Sequence, residues 1–380
     1  MERMIMEEME NWYEHKDKGI LCISGGPKVG KTGVVKEFCR LRSIKYIYLS
    51  ARDNITADKV EMTELLIIDD INREAHMEAV KSAMAAYTYE NVVLVGQIRE
   101  DKMRKNIFTQ ENNIKYINMY PMNFSEFCLE VEKRYRYGRT ELLKIYFITG
   151  GLPQCVSAFI RTGDLTFVRE VQRDILEEIC REFTEGARES RSKEEDIIRS
   201  MPYQVENVGF IFRKIHSNAR EREYGQAVRN LEEHGVVYKI QRFPRTDAGK
   251  RTGFKLVLFD VGLLGMLCGI EERAVYAEER LLDKMIMTNY LLQESIGRNI
   301  RDVYEIYYWK KERAKAKLPI VLIGRQDGKS IVAVDIMPRA DICSKSARSF
   351  LEEYPTTKVI SISNPFRQQG VSWTMGVKNK

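Results

Sequence analysis

The run Gly25-Gly26-Pro27-Lys28-Val29-Gly30-Lys31-Thr32, set between an apolar tetrapeptide at 20–23 and a helix-forming stretch that begins near Gly33, restricts this chain more than any other feature. It fits the spacing G-x-x-x-x-G-K-[ST]. In that motif glycines let the backbone wrap around an anion with its N–H groups turned inward, and the following helix adds positive potential at its N-terminus. A strand, a glycine turn and a helix in that order commit the chain to an α/β layer structure, because the helix must pack back on the sheet that the turn leaves. Gly25, Gly26, Pro27, Lys28, Val29, Gly30, Lys31, Thr32 and Gly33 are therefore the expected ATP-binding residues. Lys31 would bridge the β- and γ-phosphates, and Thr32 would place its hydroxyl on Mg²⁺, a cation that keeps most of its waters and takes few protein ligands.

The apolar runs that follow fit a parallel sheet. Residues 20–23, 46–49, 65–68, 92–95 and 114–117 are short, apolar and separated by helix-like segments, the pattern of strands buried on both faces. The third run ends in Asp69-Asp70, which delivers two carboxylates to the sheet edge where ligands bind. Asp69 is the expected partner of Thr32 in the Mg²⁺ shell, acting through water, and Asp70 stands where a water-polarising carboxylate belongs. One strand, at 46–49, separates the two motifs, the spacing of P-loop ATPases with an extra central strand. The next strand closes at Val95-Gly96-Gln97, so Gln97 either senses the γ-phosphate or is a plain strand-end amide. Lys31, Asp69, Asp70 and Gln97 form the expected catalytic set. Arg99 and Arg104 are candidates for an arginine finger, with solvated surface as the plainer role.

Length predicts two or three domains for 380 residues, and patterning divides them into four regions. An ATPase core is expected at 1–137, opened by a helix with Ile5, Met9, Trp12 and Tyr13 on one face. A helical lid follows at 138–195 and includes the turn Gly150-Gly151-Leu152-Pro153. Helices followed by strands at 236–240 and 254–258 predict a winged helix at 196–270. A long helix from 278 to 300 and strands at 304–309, 319–323, 330–336 and 359–362 predict an α+β unit at 271–380.

Charge and composition exclude several classes. The balance is 61 − 55 = +6, with 44% hydrophobic and 31% charged residues, which excludes general disorder. Seven cysteines are never two or three apart, which argues against zinc ribbons and redox pairs. Acids interrupt the first residues and no apolar run approaches membrane length, so a reduced, cytoplasmic setting without membrane contact is expected. Lys239, Arg242, Arg245, Lys250 and Arg251 gather around the expected wing as candidate double-stranded DNA contacts, with Glu232 and Glu233 on the preceding helix opposing them.

The order of these features resembles prokaryotic AAA+/STAND-like P-loop ATPases that carry a winged helix and a C-terminal restriction-endonuclease-like domain of unknown function. Besides the glycine turn, the resemblance rests on Asp69-Asp70-Ile71-Asn72, Tyr120-Pro121-Met122-Asn123-Phe124-Ser125-Glu126-Phe127, Gly150-Gly151-Leu152-Pro153 and Phe254-Lys255-Leu256-Val257-Leu258-Phe259-Asp260-Val261-Gly262-Leu263-Leu264. It implies Mg²⁺-dependent ATP hydrolysis that moves the helical and winged-helix regions, with ATP or ADP and a second copy or protein partner as binding partners. Departures from the family pattern point to slow hydrolysis. Asp70 stands where Glu is usual, one methylene shorter, and Gln97 stands in place of a sensor-like serine. In the C-terminal region Glu294 and Asp335 keep two acids, but Pro319 replaces the strand acid and Met337 the lysine, which predicts a catalytically degenerate nuclease fold. Two other readings stay open: a nucleotide-gated scaffold that does not hydrolyse, and a DNA-binding protein working through its wing.

Overall fold

The computed structural model describes residues 3–14, 19–53, 62–72, 75–97, 114–184, 191–205, 207, 209–243, 253–270, 287–298, 300–311, 316–326, 328–337 and 344–363. By internal contacts the chain forms two compact units that interleave in sequence. The first comprises Met1–Arg136, Thr149–Ile198 and Arg220–Tyr238, and the second Tyr137–Ile148, Arg199–Ala219 and Lys239–Lys380.

Five short apolar strands build the sheet of the first unit: β1 Ile20–Gly25, β2 Tyr46–Ser50, β3 Met62–Ile71, β4 Thr88–Gly96 and β5 Ile114–Met119. Their order is β2-β3-β4-β1-β5 and every pairing is parallel. Leu21, Cys22, Ile23, Leu66, Val93 and Leu94 are fully buried, as continuous apolar runs covered on both faces require. Strand β4 sits between β1 and β3, so the chain runs from β1 out to β2, back through β3 and β4, and then across β1 to β5. The order reverses beside β1, and ligands of open α/β sheets bind at the carboxyl ends of strands at such a point. Strand β3 extends beyond the apolar core at 65–68 at both ends, and its pairing with β4 shifts register between Ile68 and Ile71.

Helices cover this sheet. Helix α1 (Ile5–Glu14) buries Ile5, Met9 and Trp12, and the Tyr13 ring meets Phe38 edge-on at 5.7 Å. Helix α2 (Lys31–Arg42) follows β1 directly and buries Val34, Val35, Phe38 and Cys39. Helix α3 (His76–Ala86) leads to β4, and α4 (Phe124–Val131) follows β5 behind a capping box in which Asn123 and Glu126 satisfy each other's backbone N–H groups. After α5 (Arg139–Thr149), helices α6 (Pro153–Thr162) and α7 (Leu165–Thr184) form a hairpin in the first unit, and α8 (Lys193–Gln204) and α9 (Glu221–Glu233) complete the helical part.

The second unit carries a mixed sheet in the order β11-β10-β9-β8-β6-β7, from β6 Val237–Phe243, β7 Phe254–Leu258, β8 Tyr304–Lys310, β9 Lys317–Gly324, β10 Ile331–Met337 and β11 Lys358–Ser363. Strand β6 pairs in parallel with β8, Gln241 opposite Tyr307 and Phe243 opposite Trp309, so the 237–258 hairpin continues into the sheet of the C-terminal residues. Helix α10 (Val261–Leu267) starts at the N-cap Asp260, and α11 spans Met287–Gly297; residues 278–286 and 299 of the long helix expected at 278–300 lie outside the described residues. A short helix α12 (Ile300–Val303) precedes β8. Helix α13 (Lys345–Glu353) packs on the sheet around Trp309, Val321, Ala333 and Phe350. No helix among the described residues is long and apolar enough to cross a membrane.

Candidate nucleotide site

The glycine turn lies between the carboxyl end of β1 and the first turn of α2. Gly25 passes so close to β5 that a Cβ there would stand 2.1 Å from the Met119 carbonyl oxygen. Lys28 and Gly30 have φ of +61° and +95°, left-handed conformations of the kind from which anion-binding backbone nests are built. Gly30 also packs against Pro153, whose Cγ would lie 3.1 Å from an added Cβ, so the Gly150-Gly151-Leu152-Pro153 turn abuts the glycine turn. Gly151 closes the same junction: Met122 N–H donates to its carbonyl at 2.7 Å. By contrast, a Cβ at Gly33 would meet nothing within 4 Å, and no side chain caps the start of α2. The first-turn N–H groups of α2 therefore take no capping side chain, and the positive end of the helix lies at them.

Lys31 and the two aspartates converge there. The Lys31 ammonium donates to the Gly25 and Gly26 carbonyls at 3.0 and 2.7 Å. Burial pulls its pKa down to about 8, with Asp69, Glu182 and Asp70 opposing the fall. Thr32, 37 positions from Asp69 in sequence, donates its hydroxyl to Asp69 Oδ2 at 2.6 Å. Asp69 is buried and takes two more donors, the Tyr48 hydroxyl at 3.0 Å and the Asp70 N–H at 2.7 Å. Burial, then the charge of Asp69, pushes the Tyr48 phenol up, which keeps it a donor. Asp70 has φ +61° and accepts the Ser50 hydroxyl at 3.0 Å. Gln97 donates its N–H to the Ile71 carbonyl at 3.0 Å, and its side-chain oxygen is buried without a hydrogen-bond partner among the described residues. A buried acceptor left in that condition calls for a donor from a ligand or water.

These groups suit a magnesium nucleotide. Thr32 and Asp69 offer hard oxygen donors at one sheet edge, few in number as Mg²⁺ prefers, beside a helix N-terminus and an ammonium that suit phosphate.

Several neighbours are absent from the sequence pattern. Arg3 donates to Glu126 at 3.0 Å, to the Val29 carbonyl at 3.1 Å and to the Tyr120 carbonyl at 2.7 Å, tying the start of the chain to the back of the turn. Lys28 forms an ion pair with Glu178 on α7. Gly235, after α9, has φ +69°, and a Cβ on it would stand 3.0 Å from Gly26 Cα. None of these contacts had a local signal, since each joins segments more than 25 residues apart; only the left-handed demand at Gly235 was readable, as a glycine after a helix.

The other expected residues fall elsewhere. Lys239 lies over the Phe254 ring at 4.7 Å and Arg242 donates to the Lys310 carbonyl at 2.8 Å, so both are engaged within the chain. Arg245, Lys250, Arg251, Arg99 and Arg104 lie outside the described residues. Glu294 on α11 is buried 3.7 Å from Arg298, and Asp335 on β10 accepts the Ser344 N–H at 3.0 Å at the start of α13. Phe124, Phe127, Tyr308 and Trp309 are buried core residues, while Tyr304 and Tyr307 are half-buried.

Residues 140–274 match a family described as a domain of unknown function (DUF8612). No curated protein matches the chain. Among solved structures it is similar to the Walker-type ATPase paby2304 of Pyrococcus abyssi, at 12% identity and TM-score 0.47, over 69% of this chain and 94% of that one. It is also similar to the RuvB Holliday junction branch migration motor of Thermotoga maritima, at 11% identity and TM-score 0.37, over 67% and 90%. A third similarity is to AMPPCP-bound DnaA from Aquifex aeolicus, at 13% identity and TM-score 0.30, over 60% and 86%.

Proposed function

We propose that the chain is a Mg²⁺-dependent P-loop ATPase whose nucleotide gates movement of the helices beside its sheet. The observation that carries this reading is the 2.6 Å bond from Thr32 to Asp69 beside the uncapped start of α2, with the Lys31 ammonium alongside. In this reading the amides of Gly30, Lys31, Thr32 and Gly33 hold the phosphates and Lys31 leaves the Gly25 and Gly26 carbonyls for the β- and γ-oxygens. Thr32 and, through water, Asp69 would hold Mg²⁺, which when bound supplies positive charge to the phosphate oxygens. Asp70 polarises the attacking water and Gln97 orients it. The water oxygen bonds to the γ-phosphorus, the bond to the bridging oxygen of ADP breaks, and the water proton passes by way of Asp70 to the released phosphate or solvent.

Gating is supported by what already touches the turn. Lys28 is paired with Glu178, Glu182 acts electrostatically on Lys31, and Gly235 abuts Gly26. Incoming phosphates compete with both carboxylates, so α7 responds to nucleotide, and the turn after α9 responds through the contact of Gly235 with Gly26. The winged-helix and endonuclease-like readings belong to this proposal as support units: Glu294 and Asp335 are engaged with Arg298 and the start of α13. No contact of Lys239 or Arg242 favours the DNA reading.

The test is Mg²⁺-dependent phosphate release by purified protein and by Lys31→Ala. Removing one preorganised donor costs about 2.7 to 4 kcal/mol, a loss of roughly a hundred- to a thousandfold in turnover. Wild-type turnover that survives the change refutes the assignment. ATP that raises thermal stability while phosphate release stays at background supports instead the scaffold that does not hydrolyse.

A further inference from the structure

Strand β2 lies at the edge of its sheet and contributes a hydroxyl to each aspartate. It runs parallel to β3 with Tyr48 opposite Ile67 and Ser50 opposite Asp69. Side chains two apart on a strand share a face, so Tyr48 and Ser50 point the same way. Tyr48 reaches Asp69 Oδ2 at 3.0 Å, the oxygen that also takes the Thr32 hydroxyl, while Asp69 Oδ1 takes the Asp70 N–H. Three donors from three segments fix the rotation of one carboxylate. The Lys36 ammonium, 4.0 Å from the centre of the Tyr48 ring, holds that ring against α2.

Asp70 is held differently. Register with β4 slips between Ile68 and Ile71, and Asp70 adopts φ +61°, a conformation that L residues other than Asn and Asp rarely take. The slip turns its carboxylate outward, 41% exposed, directly after the buried Asp69. Ser50 donates to Asp70 Oδ2 at 3.0 Å, and Ser50 is itself oriented by the Arg52 N–H at 3.2 Å. The Ala51 N–H donates to the Asp69 carbonyl at 2.8 Å, and the Asn72 N–H to the Asp70 carbonyl at 2.9 Å. A strained residue clamped on both sides, in the reacting position, marks a place where geometry was kept at a cost.

We propose that Tyr48 and Ser50 are positioning residues, Tyr48 setting Asp69 toward its metal-bound water and Ser50 setting the bulged Asp70 toward the attacking water, so that the bulge suits the shorter acid. The inference rests on the ATPase reading and assigns the roles within it. Ser50 reaches the site through Asp70 and touches none of the phosphate-binding groups, so its removal leaves nucleotide binding intact and slows the chemical step. Tyr48 acts through Asp69, so its removal raises the demand for Mg²⁺.

The experiment uses the full chain and four variants: Ser50→Ala, Ser50→Thr, Tyr48→Phe and Asp70→Glu. Three readouts are taken: ATP affinity by calorimetry, phosphate release, and the thermal shift given by ATP as Mg²⁺ is titrated. Ser50→Ala is expected to lower kcat about tenfold, the weight of one hydrogen bond to a charged group, at unchanged ATP affinity, and Ser50→Thr to restore it. Tyr48→Phe raises the Mg²⁺ concentration for half the thermal shift about tenfold or more, on the same hydrogen-bond scale. Asp70→Glu lowers kcat. An unchanged kcat in Ser50→Ala, a loss that Thr fails to restore, an unchanged Mg²⁺ demand in Tyr48→Phe, or a faster Asp70→Glu enzyme overturns the inference. Wild-type protein that binds Mg·ATP and releases no phosphate overturns the role of Ser50 while leaving nucleotide binding standing. Protein that binds no ATP removes the ATPase reading itself, a result distinct from both.

Discussion

Gly235→Ala separates two costs that the structure assigns to one glycine. Gly235 has φ +69°, and placing an L residue there costs about 1–2 kcal/mol from the clash of Cβ with the following carbonyl. The added methyl would also stand 3.0 Å from Gly26 Cα and 3.1 Å from Gly26 N, well inside van der Waals contact. Gly26 cannot retreat cheaply, since its neighbour Gly25 is pressed on the Met119 carbonyl and Gly30 on Pro153. Overpacking of this kind costs about 1–3 kcal/mol more, giving roughly 2 to 5 kcal/mol in all. Gly269 supplies the control, with φ +66° and nothing within 4 Å of an added Cβ, so Gly269→Ala incurs the backbone cost alone. Urea unfolding of both variants and ATP titration are the assays. Gly235→Ala should be the more destabilised, by about 1–3 kcal/mol, and should bind ATP more weakly, while Gly269→Ala keeps wild-type affinity. Equal destabilisation, or unchanged ATP affinity in Gly235→Ala, refutes the idea that this turn bears on the phosphate-binding loop.

Two further outcomes follow from charges that the fold takes partly or wholly out of water. Burial, with the Lys317 charge adding, pulls Lys255 on β7 from its ordinary 10.5 to about 8, beside a small cavity lined in part by Met201, Leu256 and Asn289. Because the folded chain binds that proton less tightly than the unfolded chain, stability rises as pH climbs from about 8 to 10.5; the fall is worth about 3 kcal/mol. Lys255→Met should therefore exceed wild type by up to about 3 kcal/mol at pH 7 in urea unfolding, with the difference closing above pH 10.5, and a difference constant with pH would contradict it. Arg3→Ala breaks an ion pair with Glu126 that is 7% and 8% exposed and orphans two carbonyls behind the glycine turn, so a loss of about 3–5 kcal/mol is expected in thermal or urea unfolding.

What could be read in advance was what local chemistry dictates. The glycine turn declares itself because its spacing, its strand and its helix are all contiguous, and Asp69 because an apolar run of strand length stops at it. Strand cores at 20–23 and 92–95 were visible as buried runs, but β3 reaches Met62 because Met62 and Thr63 pair with Thr88 and Tyr89 of β4 ahead of the apolar run. Tyr48 and Ser50 read as the flank of an apolar strand; their hydroxyls acquire a role only when parallel pairing brings β3 alongside, about 20 residues later. The left-handed Asp70 is invisible in a pair of aspartates. Pairing of β6 with β8 joins residues 66 apart, and no periodicity announces a parallel partner at that distance. Lys239 and Arg242 read as candidate DNA contacts on an expected wing, whereas an aromatic ring and a carbonyl of the second unit take them up.

The most direct measurement is a crystal structure of the full chain with Mg²⁺ and a non-hydrolysable ATP analogue. The phosphates should lie on the amides of Gly30 to Gly33, with the Lys31 ammonium moved off the Gly25 and Gly26 carbonyls onto them and Glu178 released from Lys28. An analogue bound elsewhere, or one bound there while Lys31 keeps both carbonyls and Asp69 faces no metal-bound water, contradicts the account.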